Sequence, residues 1–344
     1  MYNVKVNCQK TIRVPISQLP PPGPRMSEHQ APRFFETGST LAATYHISGE
    51  GGRGGTSQLF GATNWLGNQF IIKAATGNEQ RLLFKEAELY ETMPDPLFPR
   101  FIELGLTEQN LSFIVMERII GSNCHGQKFN LPQAIEIMMQ VCGLERLHRQ
   151  GWLHLDIKPS NIMVQADRTV RVIDLGAAEP IGPVIDNIVC SPLYCSPEQA
   201  RDRLRSIQHF PIQVLTEAAD AYAIGTTLFK LITHTDLAYR FCRSIGIYQP
   251  NLWDYFRAHA DDKAMPELQA DELAERYHFP KHGQHHRQVT ERFAEMHHEL
   301  RDLLKELLAK DQFARLSDFA EIRERLAPIR ELANELSLFE EEAA

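Results

Sequence analysis

The eight residues His154-Leu155-Asp156-Ile157-Lys158-Pro159-Ser160-Asn161 put a carboxylate, an ammonium and an amide within a short span. Thirteen residues beyond Asn161 stands a second carboxylate, in Asp174-Leu175-Gly176. Phosphoryl transfer asks for such a set. One carboxylate orients a hydroxyl, a cation neutralises moving charge, and an amide with a second carboxylate holds magnesium. This applies the general template of that chemistry to these residues and does not derive it from them.

Groups of this kind work only if the surrounding chain holds them still. Asn130 is placed to cap a helix with Pro132 in its first turn. Ile135, Met138, Met139 and Cys142 then recur at helical spacing until Gly151 ends the run, a core stripe that would brace the loop after it. Upstream, residues 70–73 read as an apolar strand ending on Lys73, a cation that needs a carboxylate partner. Residues 80–90 read as a helix that offers Glu86 and Glu88.

Ahead of Lys73, in residues 47–55, Gly49, Gly51 and Gly54 satisfy G-x-G-x-x-G, with Gly52 beside them. Residues 59–63 alternate as a strand, so the glycines read as a hairpin whose N–H groups can approach phosphates without Cβ obstruction. A dinucleotide fingerprint differs, because its glycines open a helix. Residues 101–104 and 111–116 read as two more strands, and 117–121 as a connector.

Residues 219–232 form an apolar segment carrying Asp220, and a carboxylate there needs a partner. Residues 251–286 read as loops and short helices, and 291–308 and 318–332 as helices. In the last, Phe319, Ile322, Leu326 and Ile329 mark one face.

The 344 residues allow one large or two ordinary domains, with 43% hydrophobic and 23% charged residues as in globular proteins. A net charge of −8 argues against a nucleic-acid-binding surface. No apolar run reaches the roughly 18 residues of a membrane span, and no signal segment opens the chain. Six cysteines form no C-x-x-C pair, which fits a reducing, cytoplasmic setting. Residues 1–40 read as a proline-rich extension, a candidate arm for a regulatory partner, and 333–344 as an acidic tail. His278, His282, His285 and His286 cluster without regular ligand spacing and read as solvated surface. Cys190 and Cys195 read as small packing residues.

In chain order, the glycines, Lys73, Glu86, Met116, Asp156–Asn161, Asp174–Gly176, Ser196-Pro197-Glu198, Asp220 and Arg315 resemble the eukaryotic-like, bacterial-type Ser/Thr protein kinase family over residues 41–330. The wording of residues 194–201 is similar to bacterial members. The resemblance implies an α+β, bilobal protein-kinase fold, with a small β-rich N-lobe and hinge over 41–121 and a larger helical C-lobe over 122–332. It implies ATP and Mg2+ as cofactors and Ser/Thr hydroxyls of protein substrates as acceptors. Asp156 would orient the acceptor hydroxyl, since a carboxylate of ordinary pKa is a poor base at neutral pH. Lys158 would stabilise the γ-phosphoryl group, and Asn161 and Asp174 would bind magnesium. Lys73, tied to Glu86 in preference to Glu88, would position the α- and β-phosphates under Gly49, Gly51, Gly52 and Gly54. Met116, Glu117 and Ile119 would border the adenine. Backbone N–H groups of the catalytic loop would partner Asp220. Glu198 would pair with Arg315 beneath the substrate platform, and Ser191 would touch Asp156 and Lys158.

Several positions depart from the family pattern. Leu155 stands where many members carry an arginine that grips an activation-segment phosphate, and residues 177–190 contain no Ser, Thr or Tyr. Activity is therefore expected not to require phosphorylation of that segment. Ile71 replaces a small residue two before Lys73, the glycines sit off their usual spacing to Lys73, and the stretch from Glu198 to Asp220 is long. The alternatives are a pseudokinase scaffold and a small-molecule kinase of the aminoglycoside or choline type. Lys73, Glu86, Asp156, Asn161 and Asp174 together argue against the first, and Lys158 with Ser196-Pro197-Glu198 against the second.

Overall fold

Alternation of apolar and polar residues builds the first part of the chain. The computed structural model describes residues 35–53, 57–107, 110–183, 188–205, 211–274 and 286–341. It divides into two units, one running to Ile120 and including Ile173–Gly176, the other made of Gly121–Val172 and Ala177 onward.

The first unit is an antiparallel sheet in the order β1-β2-β3-β4-β6-β5, with β1 Thr40–Leu41, β2 Tyr45–Arg53, β3 Gln58–Thr63, β4 Gln69–Ala75, β5 Phe101–Leu106 and β6 Ser112–Glu117. On β4, Phe70, Ile72 and Ala74 enter the core with Phe60, Phe113 and Val115, while Ile71 and Lys73 fall on the other face, as a period of two demands. Phe35 packs into the same core, edge to face with Phe60 at 5.0 Å. Residues 35–40, read from sequence as part of an extension, therefore belong with this sheet. Burying an aromatic ring of this kind contributes roughly 1.5–3 kcal/mol. Gly105 lies opposite Phe113, and a Cβ there would come within 2.2 Å of the ring. Helix α1, Gln80–Thr92, buries Leu83, Glu86, Ala87, Leu89 and Tyr90 on one face.

The second unit is mainly helical. Helix α2, Leu131–Val141, starts on a reciprocal cap in which Asn130 and Gln133 bond each other's backbone N–H, with Pro132 in the first turn. The expected single helix to Gly151 instead tightens into a 3-10 turn at Cys142–Leu144, centred on Gly143, before α3, Glu145–His148. Short ladders follow: β7 Gly121–Asn123 with β9 Ile162–Gln165 and β10 Val170–Val172, β8 Trp152–Leu153 with β11 Glu179–Pro180, and β12 Gly182–Pro183 with β13 Val214–Leu215. Helix α4, Pro197–Leu204, is capped by Ser196 and Gln199. Helix α5, Glu217–Thr233, is buried on nearly all sides, as its apolar sequence requires. Helices α6 Leu237–Ser244, α7 Leu252–Ala260 and α8 Ala270–Ala274 fill the stretch expected to hold short helices. Helix α9, His286–Leu307, meets α5 at Gly225, where a Cβ would lie 3.0 Å from Leu307.

Helix α10, Phe319–Glu341, corrects the tail assignment. It continues through residues read as an acidic tail because its buried stripe of Phe319, Ile322, Leu326 and Ile329 extends to Ala333 and Leu336. Burial of that stripe holds the helix past the point where charge dominates the sequence. Likewise Glu117, read as part of the connector, is the last residue of β6, and Gly121 opens β7 in the second unit. His278, His282 and His285, Gly54 and residues 1–34 lie outside the described residues.

Candidate active site

In the first unit Lys73 reaches two carboxylates. Its Nζ lies 2.7 Å from Glu86 Oε2 and 2.7 Å from Asp174 Oδ1. The strand period turns Lys73 away from the core beside Ile71, and the helical period turns Glu86 inward from α1. Glu88, two residues on, is exposed. Burial pulls the Lys73 ammonium down, but the flanking Glu86 and Asp174 charges outweigh it and hold the group above its ordinary range. Glu86 is fully buried. Burial pushes its carboxyl up, to about 7, against the opposing pull of Lys73. The ammonium 2.7 Å from Oε2 keeps the pair ionised.

Asp174 has a left-handed backbone, φ 71°. Its Oδ1 also accepts from the Gly176 N–H at 3.1 Å, and its own N–H donates to the Tyr90 hydroxyl oxygen at 3.1 Å. Its side chain remains 39% exposed, so a carboxylate with room for a ligand sits beside a buried lysine. A Cβ at Gly176 would come within 3.0 Å of Asp174 Oδ1, so any side chain there would press on that carboxylate.

Gly49 and Gly51 lie within β2, whose pairing with β3 slips at two bulges, between Ile47 and Gly49 and between Glu50 and Gly52. The glycines therefore ride an irregular strand, and the apex beyond Arg53 lies outside the described residues. Ile71 pairs with Gly61 on β3 and with Met116 on β6. The large side chain thus has a residue without a side chain across the ladder. Met116 is buried, Ile119 half-buried, and the Glu117 N–H is committed to the Arg100 carbonyl at 3.0 Å.

In the second unit Asp156 is the centre of a compact polar set. Its Oδ2 accepts from Lys158 Nζ at 2.7 Å and Asn161 Nδ2 at 3.0 Å, and its Oδ1 from the Ser191 hydroxyl at 2.6 Å. Lys158 Nζ donates to Ser191 Oγ as well, at 2.7 Å. Asn161 Nδ2 also donates to the Asp156 carbonyl at 2.9 Å, so both contacts of the amide nitrogen go to Asp156 and the amide oxygen is the acceptor end.

The loop that carries these groups is fastened from α5. Asp220 is fully buried and accepts from the His154 N–H at 2.8 Å, the Leu155 N–H at 2.7 Å and His148 Nε2 at 2.9 Å. Burial works to raise this carboxyl, but His148 and His154 outweigh it and hold it below its usual value. Leu155 sits at φ 62° with its side chain in an apolar cluster of Leu153, Ile188, Leu215 and Ala219, and its carbonyl accepts from Gln199 Nε2 at 2.9 Å. Further along, Arg315 makes a forked pair with Glu198 at 2.8 and 3.2 Å, both side chains being almost wholly buried. Cys195 is buried in a second apolar cluster with Ala200, Leu204, Phe256 and Ala260, and Cys190 packs partly buried against it. Burial, and then Cys190, push the Cys195 thiol well up.

Three participants escaped sequence reasoning: Tyr90, His148 and Gln199. Tyr90 lies four residues after Glu86, so helical spacing from that carboxylate was a usable signal. His148 and Gln199 carry none, since each meets its partner only through the path of the chain.

The oxygen donors suit magnesium. The Asp174 carboxylate in the first unit and the Asn161 amide oxygen in the second are each hard donors of the kind magnesium takes, and magnesium is commonly held by one or two carboxylates with substrate phosphates completing the shell. Among the described residues no group of three or more His, Cys, Asp or Glu stands ready to hold a metal by itself. Among them, too, no helix is long and apolar enough to cross a membrane.

Comparison with known proteins supplies a family. The model described as "Protein kinase domain" matches residues 45–326. "Probable serine/threonine-protein kinase PknB" of Lactococcus lactis is 30% identical over 222 residues, 58% of this chain and 33% of that protein. "Serine/threonine-protein kinase pkn3" of Myxococcus xanthus is 28% identical over 221 residues, 57% of this chain and 39% of that protein. "Serine/threonine-protein kinase PrkC" of Bacillus subtilis is 28% identical over 213 residues, 57% of this chain and 31% of that protein. The chain spans less than half the length of each of these relatives.

Proposed function

Because the chain belongs to the protein kinase domain family, we propose that it transfers the γ-phosphoryl group of ATP to Ser or Thr hydroxyls of protein substrates. The observation that carries this reading is the Asp156 carboxylate, held by an ammonium, an amide and a hydroxyl at 2.6–3.0 Å. A carboxylate so fixed can accept a hydrogen bond from an incoming hydroxyl and aim its oxygen. Lys158, already beside Asp156, supplies positive charge where charge develops on the equatorial oxygens. Ser191 seats a hydroxyl against both groups, which supports a Ser/Thr acceptor.

Lys73, kept charged by Glu86 and Asp174, would bind the α- and β-phosphates. Magnesium, held by Asp174 and Asn161, would neutralise phosphate charge. Gly49, Gly51 and Gly52 would bring backbone N–H groups to the phosphates, and Met116, Glu117 and Ile119 would border the adenine. Glu198, Arg315 and Asp220 act as braces. A cytoplasmic setting belongs to the same reading and is supported by five free cysteines among the described residues.

Independence from activation-segment phosphorylation is part of the proposal. Its support is that Leu155 is packed among Leu153, Ile188, Leu215 and Ala219, an apolar contact where a phosphate-binding arginine would need a charged partner. Labelled phosphate from ATP tests the whole reading. Wild-type protein, including protein pretreated with a phosphatase, is expected to transfer label to a protein acceptor. Asp156→Asn and Lys73→Ala are expected to lose about a hundredfold or more. Undiminished labelling in either variant, or activity abolished by the phosphatase, would contradict it.

A further inference from the structure

A buried tyrosine hydroxyl needs a reason. Tyr90 is 3% exposed, yet carries an oxygen that a leucine or phenylalanine would not. Its ring orientation is set by an edge-to-face contact with Phe98, with centroids 6.3 Å apart. Burial, and then the Glu86 and Asp174 charges, push the phenol well above its ordinary pKa, so it remains a neutral hydroxyl. Its oxygen accepts the backbone N–H of Asp174 at 3.1 Å. A buried polar group of this kind costs stability unless it is bonded, and here the backbone amides of Asp174 and Leu175 serve the phenolic oxygen.

The Asp174 amide belongs to a residue with a left-handed backbone. Asp174 sits at φ 71°, a left-handed region that L-residues with a Cβ occupy only at a cost. In this conformation its carboxylate meets Lys73 at 2.7 Å and the Gly176 N–H at 3.1 Å. Glu86 and Tyr90 are four residues apart on α1 and share a face. One turn of helix therefore fixes both neighbours of the lysine: Glu86 directly, and Asp174 through its backbone.

We infer that Tyr90 is a positioning residue for phosphoryl transfer, its hydroxyl locking the Asp174 backbone in the conformation that presents the carboxylate to Lys73 and to the nucleotide's metal. This rests on the reading of Lys73 and Asp174 as nucleotide- and metal-facing groups.

The test is Tyr90→Phe in the full chain, with Tyr90→Met as a second filler lacking a hydroxyl. A urea midpoint close to wild type establishes that either variant is folded. Backbone amide exchange across residues 173–176, followed without nucleotide, is expected to quicken about 3- to 10-fold at Asp174, the range for one lost hydrogen bond. KM for ATP with magnesium is expected to rise by a similar factor, while KM for the protein acceptor stays put. Wild-type exchange at Asp174 in both folded variants would overturn the inference. So would faster exchange with no change in KM for ATP. If wild-type protein transferred no phosphate while exchange in the variants still quickened, the hold of Tyr90 on Asp174 would stand and only the phosphotransfer reading would fall.

Discussion

Replacing Arg315 with methionine probes how the second unit is held at the start of helix α4. Arg315 donates to Glu198 twice, to the Ala218 carbonyl at 2.6 Å and to the Ala309 carbonyl at 2.8 Å, and lies over the Tyr222 ring at 5.0 Å. Methionine fills much of the volume but supplies no donor. Two backbone carbonyls then lose a partner, and Glu198, whose side chain is 2% exposed, becomes a buried carboxylate facing no cation. Removing one side of a buried ion pair costs about 3–5 kcal/mol, and the extra carbonyls place this case toward the upper end. At a urea slope of about 2–3 kcal/mol per molar, the midpoint falls by roughly 1–2 M. Trp152 and Trp253 both lie in the second unit, so their fluorescence follows the transition. Adding Glu198→Met to Arg315→Met is expected to return most of the loss, because the penalty comes from the stranded charge. Arg315→Lys is expected to restore only part, since an ammonium cannot reproduce the fork. A cost below about 1 kcal/mol for Arg315→Met, or a double variant as unstable as the summed singles, would refute this account.

Acid should find a second weak point at His259. Burial, and then the Lys310 charge, lower this histidine from 6.5 to about 3, while the unfolded chain keeps the ordinary value. As pH falls, the unfolded state takes up the proton first. The contribution is therefore complete above pH 6.5 and disappears as pH drops toward 3, reaching about 2 kcal/mol of loss by pH 5. Urea midpoints of wild type and His259→Gln at pH 7 and pH 5 should show the variant losing less, and equal losses would exclude the idea. In the first unit, Gly105→Ala should destabilise by about 1–3 kcal/mol, because its Cβ would sit 2.2 Å from the Phe113 ring. Thermal unfolding should show relief when Phe113→Leu is added, and a neutral Gly105→Ala would mean that the ring moves freely.

How legible the molecule is from its residues depends on the reach of each interaction. Capping and periodicity act over two to four positions, so β4, α1, the Asn130 cap of α2 and the apolar face of α10 could be read directly. Local rules failed where a longer-range term took over. Helix α10 runs on to Glu341, well beyond residue 332, because Ala333 and Leu336 are buried against the rest of the unit. The run after α2 breaks at Gly143, where a continuous periodicity had suggested one helix.

The candidates for the chemistry were legible in the chain: the residue types and spacing within 154–161 and 174–176, together with the resemblance to a kinase pattern, single out Lys73, Asp156, Lys158, Asn161 and Asp174 as expected groups for phosphoryl transfer. Tertiary structure decided what holds them. Asp220 fastens the His154 and Leu155 amides across 66 and 65 positions, and Tyr90 bonds the Asp174 amide across 84. Glu198 and Arg315 meet across 117. A buried donor must find an acceptor somewhere, and a sequence states that need; only the path of the folded chain, set by how its apolar faces pack, determines which acceptor meets it.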